Sequence, residues 1–235
     1  MSVPAGAANP DRTATSRTVP LLIAGVIAGP LFVTTLLIQG AVRADYDPLR
    51  HPGSSLALGE YGWIQVTNFI VTGALTLAFA VGLRRLLKPH GRATWGPSLI
   101  AVWGIGLIGA GVFATDPVSG YPPGTPNMVE HPSTLGALHD VFSIPAFIAL
   151  LAACLVFTRR FATQHQRGWA IYSSVTAAVF AVSFAISGVA FNQAESLVDF
   201  GGLFQRISLI TGFGWLTALA IYLLNTSRPR GQLTR

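Results

Sequence analysis

Apolar residues along this chain gather into six long runs, at roughly 20–40, 63–83, 95–115, 139–158, 169–190 and 203–224. Each is close to the roughly 20 residues with which a helix crosses a hydrocarbon core about 30 Å thick. The pattern therefore predicts an all-α polytopic membrane protein with six transmembrane helices arranged as three helical hairpins. The polar segments between the runs never exceed about 25 residues, which leaves no room for a separate soluble domain. The expected organisation is a disordered tail at 1–18, rich in Ala, Thr, Ser and Pro, a six-helix domain at 19–226, and a short basic tail at 227–235. The first run is longer than the apolar region of a signal peptide, so it is read as a span that is retained.

The charges are sorted with the runs. Placing both termini on one side puts Arg12, Arg17, Arg84, Arg85, Lys88, Arg92, Arg159, Arg160, Arg167, Arg228, Arg230 and Arg235 on that side, and only Arg43, Arg50 and Arg206 on the other. Acidic residues do the reverse. Asp11 lies with the basic group, while Asp45, Asp47, Glu60, Asp116, Glu130, Asp140, Glu195 and Asp199 lie opposite. Lys and Arg accumulate on the cytoplasmic side, so both ends are expected to be cytoplasmic in a plasma membrane.

Composition sharpens this reading. Charged residues make up only 10% of the chain and apolar ones 51%, against about a quarter charged in a soluble domain. The net charge of +6 does not argue for nucleic acid, because the basic residues flank spans, where orientation and anionic headgroups account for them. Cys154 is the single cysteine, which excludes an intramolecular disulfide and Cys-rich metal sites. No cofactor is expected. Membrane lipids are the expected partners, with a small or lipid-like ligand, a second membrane protein or another copy of the chain as further ones.

Small residues recur at helix-packing spacing, as in Gly25 with Gly29 and Gly106 with Ala110. The run from Gly104 to Gly111 contains a formal G-x-G-x-x-G, but it lies inside an apolar span with no strand before it, which argues against a dinucleotide site. Pro30 and Pro145 predict kinks. His51-Pro52 precedes the second run and His131-Pro132 the fourth, and both runs end in arginine pairs, Arg84-Arg85 and Arg159-Arg160. This suggests a repeated two-helix unit in one orientation.

If Ser54 or Ser55, and Ser133 or Thr134, cap the second and fourth helices, Glu60 and Asp140 fall just inside the membrane boundary, with Gln205 and Arg206 at a similar depth. Ionisable groups at that depth are costly unless paired or facing water, and by default mark a site. The candidate is a cleft on the outer side lined by Glu60, His139, Asp140 and Arg206, with His51 and Asp116 at its rim. The simpler alternative has Arg206 paired with Glu60 or Asp140 to hold helices together. Three chemistries stay open. Metal binding would use His51, His131 and His139 with nearby carboxylates, though the spacing matches no compact ligand motif. Hydrolysis would use Ser54 or Ser55 with His139 and Asp140, though adjacent residues on a helix point about 100° apart. Acid–base work on a lipid or isoprenoid would use Glu60 and Asp140 on facing helices.

Several segments here resemble the domain of unknown function 998 family of prokaryotic multi-pass membrane proteins. They are Tyr46-Asp47-Pro48, His51-Pro52, Ser55-Leu56-Ala57-Leu58-Gly59, Gly62-Trp63-Ile64-Gln65 and Asn68-Phe69. Gly109-Ala110-Gly111-Val112-Phe113 with Thr115-Asp116-Pro117 forms a second block, and Gly136 with His139 a third. The resemblance implies a polytopic membrane protein and assigns no activity and no catalytic residues. The charge pattern yields a direct expectation. Reporter tags on either end should resist a protease added to intact cells, and cleavage of either tag would reverse the orientation.

Overall fold

The computed structural model describes the backbone of residues 10–87 and 95–227, and the side chains of 18–87 and 95–227. The outer parts of both expected tails, together with Lys88 and Arg92, lie outside the described residues. Among the described residues six α-helices form: α1 (Pro10–Val42), α2 (Gly62–Leu87), α3 (Trp95–Val112), α4 (Thr134–Thr163), α5 (Arg167–Phe191) and α6 (Gly201–Ser227). All six are long and apolar enough to cross a membrane. α1 begins at Pro10, inside the segment expected to be a disordered tail; proline suits a first helical turn because its missing N–H has no partner there anyway.

The hairpins are not separate units. Each helix packs on its neighbours in sequence, and α6 closes back onto α1, giving a ring of six. The connectors α1–α2, α3–α4 and α5–α6 lie together at one end, called here the loop end. The α4–α5 connector lies at the opposite end, called here the terminal end, with the end of α2, the start of α3 and the end of α6.

Helices that are apolar on all sides cannot sort themselves by amphipathicity, so close approach decides their neighbours. Glycine spacing on α3 does this in two directions. Gly104 and Gly111 lie against α2, where Gly73, Phe69 and Ile70 meet them, while Gly106 and Gly109 lie against Phe142 and Ala146 of α4. The formal dinucleotide pattern is thus a packing code. Gly25 and Gly29 of α1 meet Phe79 of α2 and Phe213, Thr217 and Ala220 of α6, closing the ring. Inside it, Trp103, Phe213, Phe157 and Trp215 form a buried aromatic column, with Trp103 and Phe213 ring centroids 5.5 Å apart and Phe157 and Trp215 likewise 5.5 Å apart. Trp215 Nε1 donates to Ser173 Oγ at 3.0 Å, and Cys154 is a buried core residue. Trp63 and Trp95, at helix starts, are exposed, as interfacial anchors are.

The two His-Pro segments of the suggested repeat adopt different local structures. His51 is buried and His131 exposed. Ser133 caps α4 through a 3.0 Å bond from Gly136 N, whereas Gly53–Ala57 forms a short 3-10 helix and α2 starts only at Gly62.

Overpacking a glycine seam should loosen the ring. A Cβ on Gly29 would lie 2.8 Å from the Phe213 carbonyl oxygen, whereas one on Gly214 meets nothing within 4 Å. Gly29→Val should cost about 1–3 kcal/mol and lower the melting temperature in detergent, and Gly214→Ala should leave it unchanged or slightly higher.

Candidate functional site

The loop end is held by the three arginines that break the charge sorting. Arg43 donates to the carbonyls of Leu58, Leu56 and Tyr61 at 3.2, 3.3 and 3.0 Å, fixing the turn into α2. Arg50 reaches all three connectors at this end. From α1–α2 it binds the Ser119 carbonyl at 3.1 Å and Asn127 Oδ1 at 3.3 Å in the α3–α4 connector, and it pairs with Asp199 before α6. The carbonyls of Leu49 and Arg50 accept from Leu203 N and Gly202 N at 2.8 and 3.1 Å, satisfying two of the open N–H groups at the start of α6.

Arg206, on the first turns of α6, is only 5% exposed. Its guanidinium donates to Tyr46 Oη at 2.6 Å and to the carbonyls of His51 and Gly202 at 3.1 and 3.0 Å. Its centre lies 5.5 Å from the Tyr46 ring centroid, close enough for a cation–π contribution. Tyr46 in turn donates toward the His51 and Pro52 carbonyls at 3.0 and 2.9 Å. Burial pushes the Tyr46 phenol above its ordinary pKa, outweighing the opposite pull of Arg206. The phenol is therefore neutral, and Arg206 is a buried cation held by neutral acceptors. The Arg206–carboxylate pair expected from the sequence does not form. Among the described residues the only ion pair is Arg50 with Asp199.

Next to this scaffold lies a cavity of about 490 Å³, within the range of small-molecule sites. Its walls are one stripe from each of two helices. α4 supplies Gly136, His139, Asp140, Ser143, Ile144 and Phe147, and α5 supplies Phe184, Ser187, Gly188, Phe191 and Asn192. Both sets recur at three- and four-residue intervals, the signature of one helix face. Pro52 and Ser54 of the first connector, Asp116 and its neighbours in the second, and Gln205 of α6 complete it.

A second cavity, of about 60 Å³, adjoins it and is lined by Phe32, Phe69, Trp103, Leu107 and Leu209. Ser54, His139, Ser143, Phe147 and Gln205 line both spaces and so mark the junction. His139 is 5% exposed, and its Nδ1 lies 2.9 Å from the Phe113 carbonyl oxygen. A carbonyl only accepts, so Nδ1 carries the proton; in the neutral ring Nε2 is then an acceptor. None of the described residues hydrogen-bonds it.

The family model described as a protein of unknown function (DUF998) matches residues 26–222. The chain belongs to the DUF998 family. No curated protein and no solved structure matches it. This DUF998 protein is a multi-pass membrane protein with six candidate spans, and every residue that lines the cavity falls within the matched segment.

The residues read from the sequence separate into three groups. His139 and Asp140 line the cavity, Asp140 at its exposed edge. Asp116 also lines it, but its Oδ2 accepts from Ser133 N at 2.8 Å, so it sits on the N-terminus of α4 as a second cap. His51 and Arg206 lie behind the wall, in the scaffold. Glu60 is exposed in the turn before α2 and lines neither space. The expected depth for Glu60 assumed a helix running on from Ser55. Gly59 instead turns the chain with φ +77°, and Arg43 clamps that turn. The facing pair Glu60 and Asp140 is therefore not assembled. Ser54 lines the cavity while Ser55 is buried, and among the described residues no three His, Cys, Asp or Glu side chains converge as metal ligands would.

Ser143, Ser187, Asn192 and Phe147 were missed. Ser143 lies four residues after His139 and so on its face of α4, a signal that helical spacing alone would have given. Another missed feature is a polar ladder between α1 and α2, in which Gln39 Nε2 donates to Gln65 Oε1 at 2.8 Å and Asn68 Nδ2 to the Phe32 carbonyl at 3.2 Å.

The His51 environment sets a pH dependence. Its Nδ1 accepts from Asp47 N at 2.9 Å, and burial holds its pKa below the ordinary value, against the raising effects of Asp47 and a Ser119 backbone hydrogen bond. Unfolded chain takes up a proton below about pH 6.5 that the folded connector resists. This contribution to stability is therefore complete above that pH and declines as the pH falls toward the folded value. Thermal stability in detergent should fall across that window. His51→Asn, which keeps an acceptor but cannot titrate, should shrink the fall, and an unchanged decline would assign it to other groups.

Proposed function

We propose that this protein binds a small or lipid-like ligand in the cavity between α4 and α5. The observation that carries this reading is a pair of adjoining cavities: an outer one at the loop end that sets Asp116, Asp140, Ser187 and Asn192 among apolar residues, and an inner one inside the ring whose polar lining is limited to the shared Ser54, His139, Ser143 and Gln205. A molecule with a polar head and an apolar body matches that arrangement. The charge sorting supports a loop end on the outer face of a plasma membrane, with both termini cytoplasmic, so the ligand would enter from outside.

Binding is favoured over a continuous transport path. Beyond the inner chamber the ring is filled by Trp103, Phe213, Phe157 and Trp215, all at most 2% exposed. Acid–base catalysis by two facing carboxylates has lost its geometric support with Glu60 outside the cavity.

Native mass spectrometry of protein released from its own membrane is the test. Wild type should carry an additional bound mass in the small-molecule or lipid range. Ser143→Leu, which fills the junction, should remove it while leaving the melting temperature within a few degrees. A wild-type protein that carries no such mass, and that no lipid or small amphiphile stabilises, would end the ligand-binding reading.

A further inference from the structure

The charge and hydrogen-bonding capacity of the cavity narrow the ligand. No lysine or arginine lines it, whereas Asp116 and Asp140 both do. Asp116 is engaged at the start of α4 through Ser133 N, but no described residue donates a hydrogen bond to Asp140. One residue away in the same wall, His139 is 5% exposed and donates its Nδ1–H to the Phe113 carbonyl. Its Nε2 is an acceptor to which the described residues offer no donor. A ring nitrogen in the cavity wall with no donor among the described residues, beside a carboxylate with none, suits a molecule that brings donors and positive charge.

The rest of the wall accommodates such a molecule. Phe147 and Phe184 stack with ring centroids 4.3 Å apart, and both line the cavity beside His139; aromatic faces attract ammonium groups. An anionic head would meet two carboxylates and no cation.

We infer that the ligand is an amphiphilic organic cation, of the alkyl- or prenylamine class, with its ammonium head at Asp140 and His139 Nε2 and its apolar body directed to the inner chamber. The inference rests on the ligand-binding reading above and specifies its chemistry.

The probes are an ω-bromoalkylamine, the matching alcohol and the matching carboxylate, titrated into full-length protein in phosphatidylcholine nanodiscs. Bromine quenches tryptophan on contact, and Trp103 lines the inner chamber, so a bound tail should give saturable quenching that Trp103→Phe removes. The amine should bind at least tenfold more tightly than the alcohol, and the carboxylate should give no saturable quenching. Asp140→Asn should erase the advantage of the amine, and Asp140→Glu should keep most of it. Gly188 lines the cavity, and a Cβ added there meets nothing within 4 Å. Gly188→Leu should therefore narrow the site without a clash and weaken all binding. Equal or tighter binding of the alcohol or the carboxylate, still weakened by Gly188→Leu, overturns the cation inference and leaves the ligand-binding reading standing. An amine preference that Asp140→Asn leaves intact also overturns it. Absence of saturable quenching by all three probes overturns the inference, and the ligand-binding reading falls with it only if the native protein also carries no bound mass.

Discussion

A single buried guanidinium connects the first half of this protein to the last. Arg206 is only 5% exposed, and a guanidinium in a low-dielectric interior is tolerated only where acceptors are aimed at it. The connector between α1 and α2 supplies that shell. Tyr46 offers its hydroxyl and its ring face, and the His51 carbonyl closes from the other side. Hydrogen bonds to a charged group each contribute about 1.5–3 kcal/mol. The connector therefore cannot leave α6 without stranding the charge. Because α6 also packs along α1, this one attachment closes the ring at the loop end while the Gly25–Gly29 seam closes it within the membrane.

Seen with its neighbours, Arg206 belongs to a common solution. A connector at a membrane surface must satisfy its carbonyls without a sheet or a long helix, and arginine has five donors in a planar fork. Arg43 uses its fork on three carbonyls and Arg206 on two carbonyls and a phenol, while Arg50 reaches a carbonyl, an amide and Asp199. The three basic residues on the acidic side of the charge map are thus the ones with structural work in the connectors.

That division also explains what could be read from the sequence. The helices were legible because a span is a statement about length and apolarity, properties that survive any packing. The boundary of α3 at Trp95 and the seams at Gly25, Gly29 and Gly106 follow from the same logic. The candidate site was legible only in part. His139 and Asp140 reach the cavity because Ser133 starts α4 where a capping residue should. Glu60 was misplaced because Ser54 and Ser55 look like equally good caps, and nothing local reveals that Gly59 will take a positive φ under the clamp of Arg43. Arg206 was assigned a carboxylate because in sequence a charge invites an opposite charge, whereas its true partners are backbone oxygens, which no composition displays.

The contrast between Arg206 and His139 carries the argument about function. Both are 5% exposed, and both lie at the same end of the bundle. Arg206 has a neutral acceptor on most of its donors and borders no open space, as a residue selected to hold a connector in place would. His139 has one nitrogen fixed by the Phe113 carbonyl, which orients the ring, and it stands in the wall shared by the outer and inner cavities. The same end of the molecule therefore contains a scaffold that holds the connectors and, beside it, a cavity wall whose Asp140 no described residue fills, which is the ground for the ligand-binding proposal.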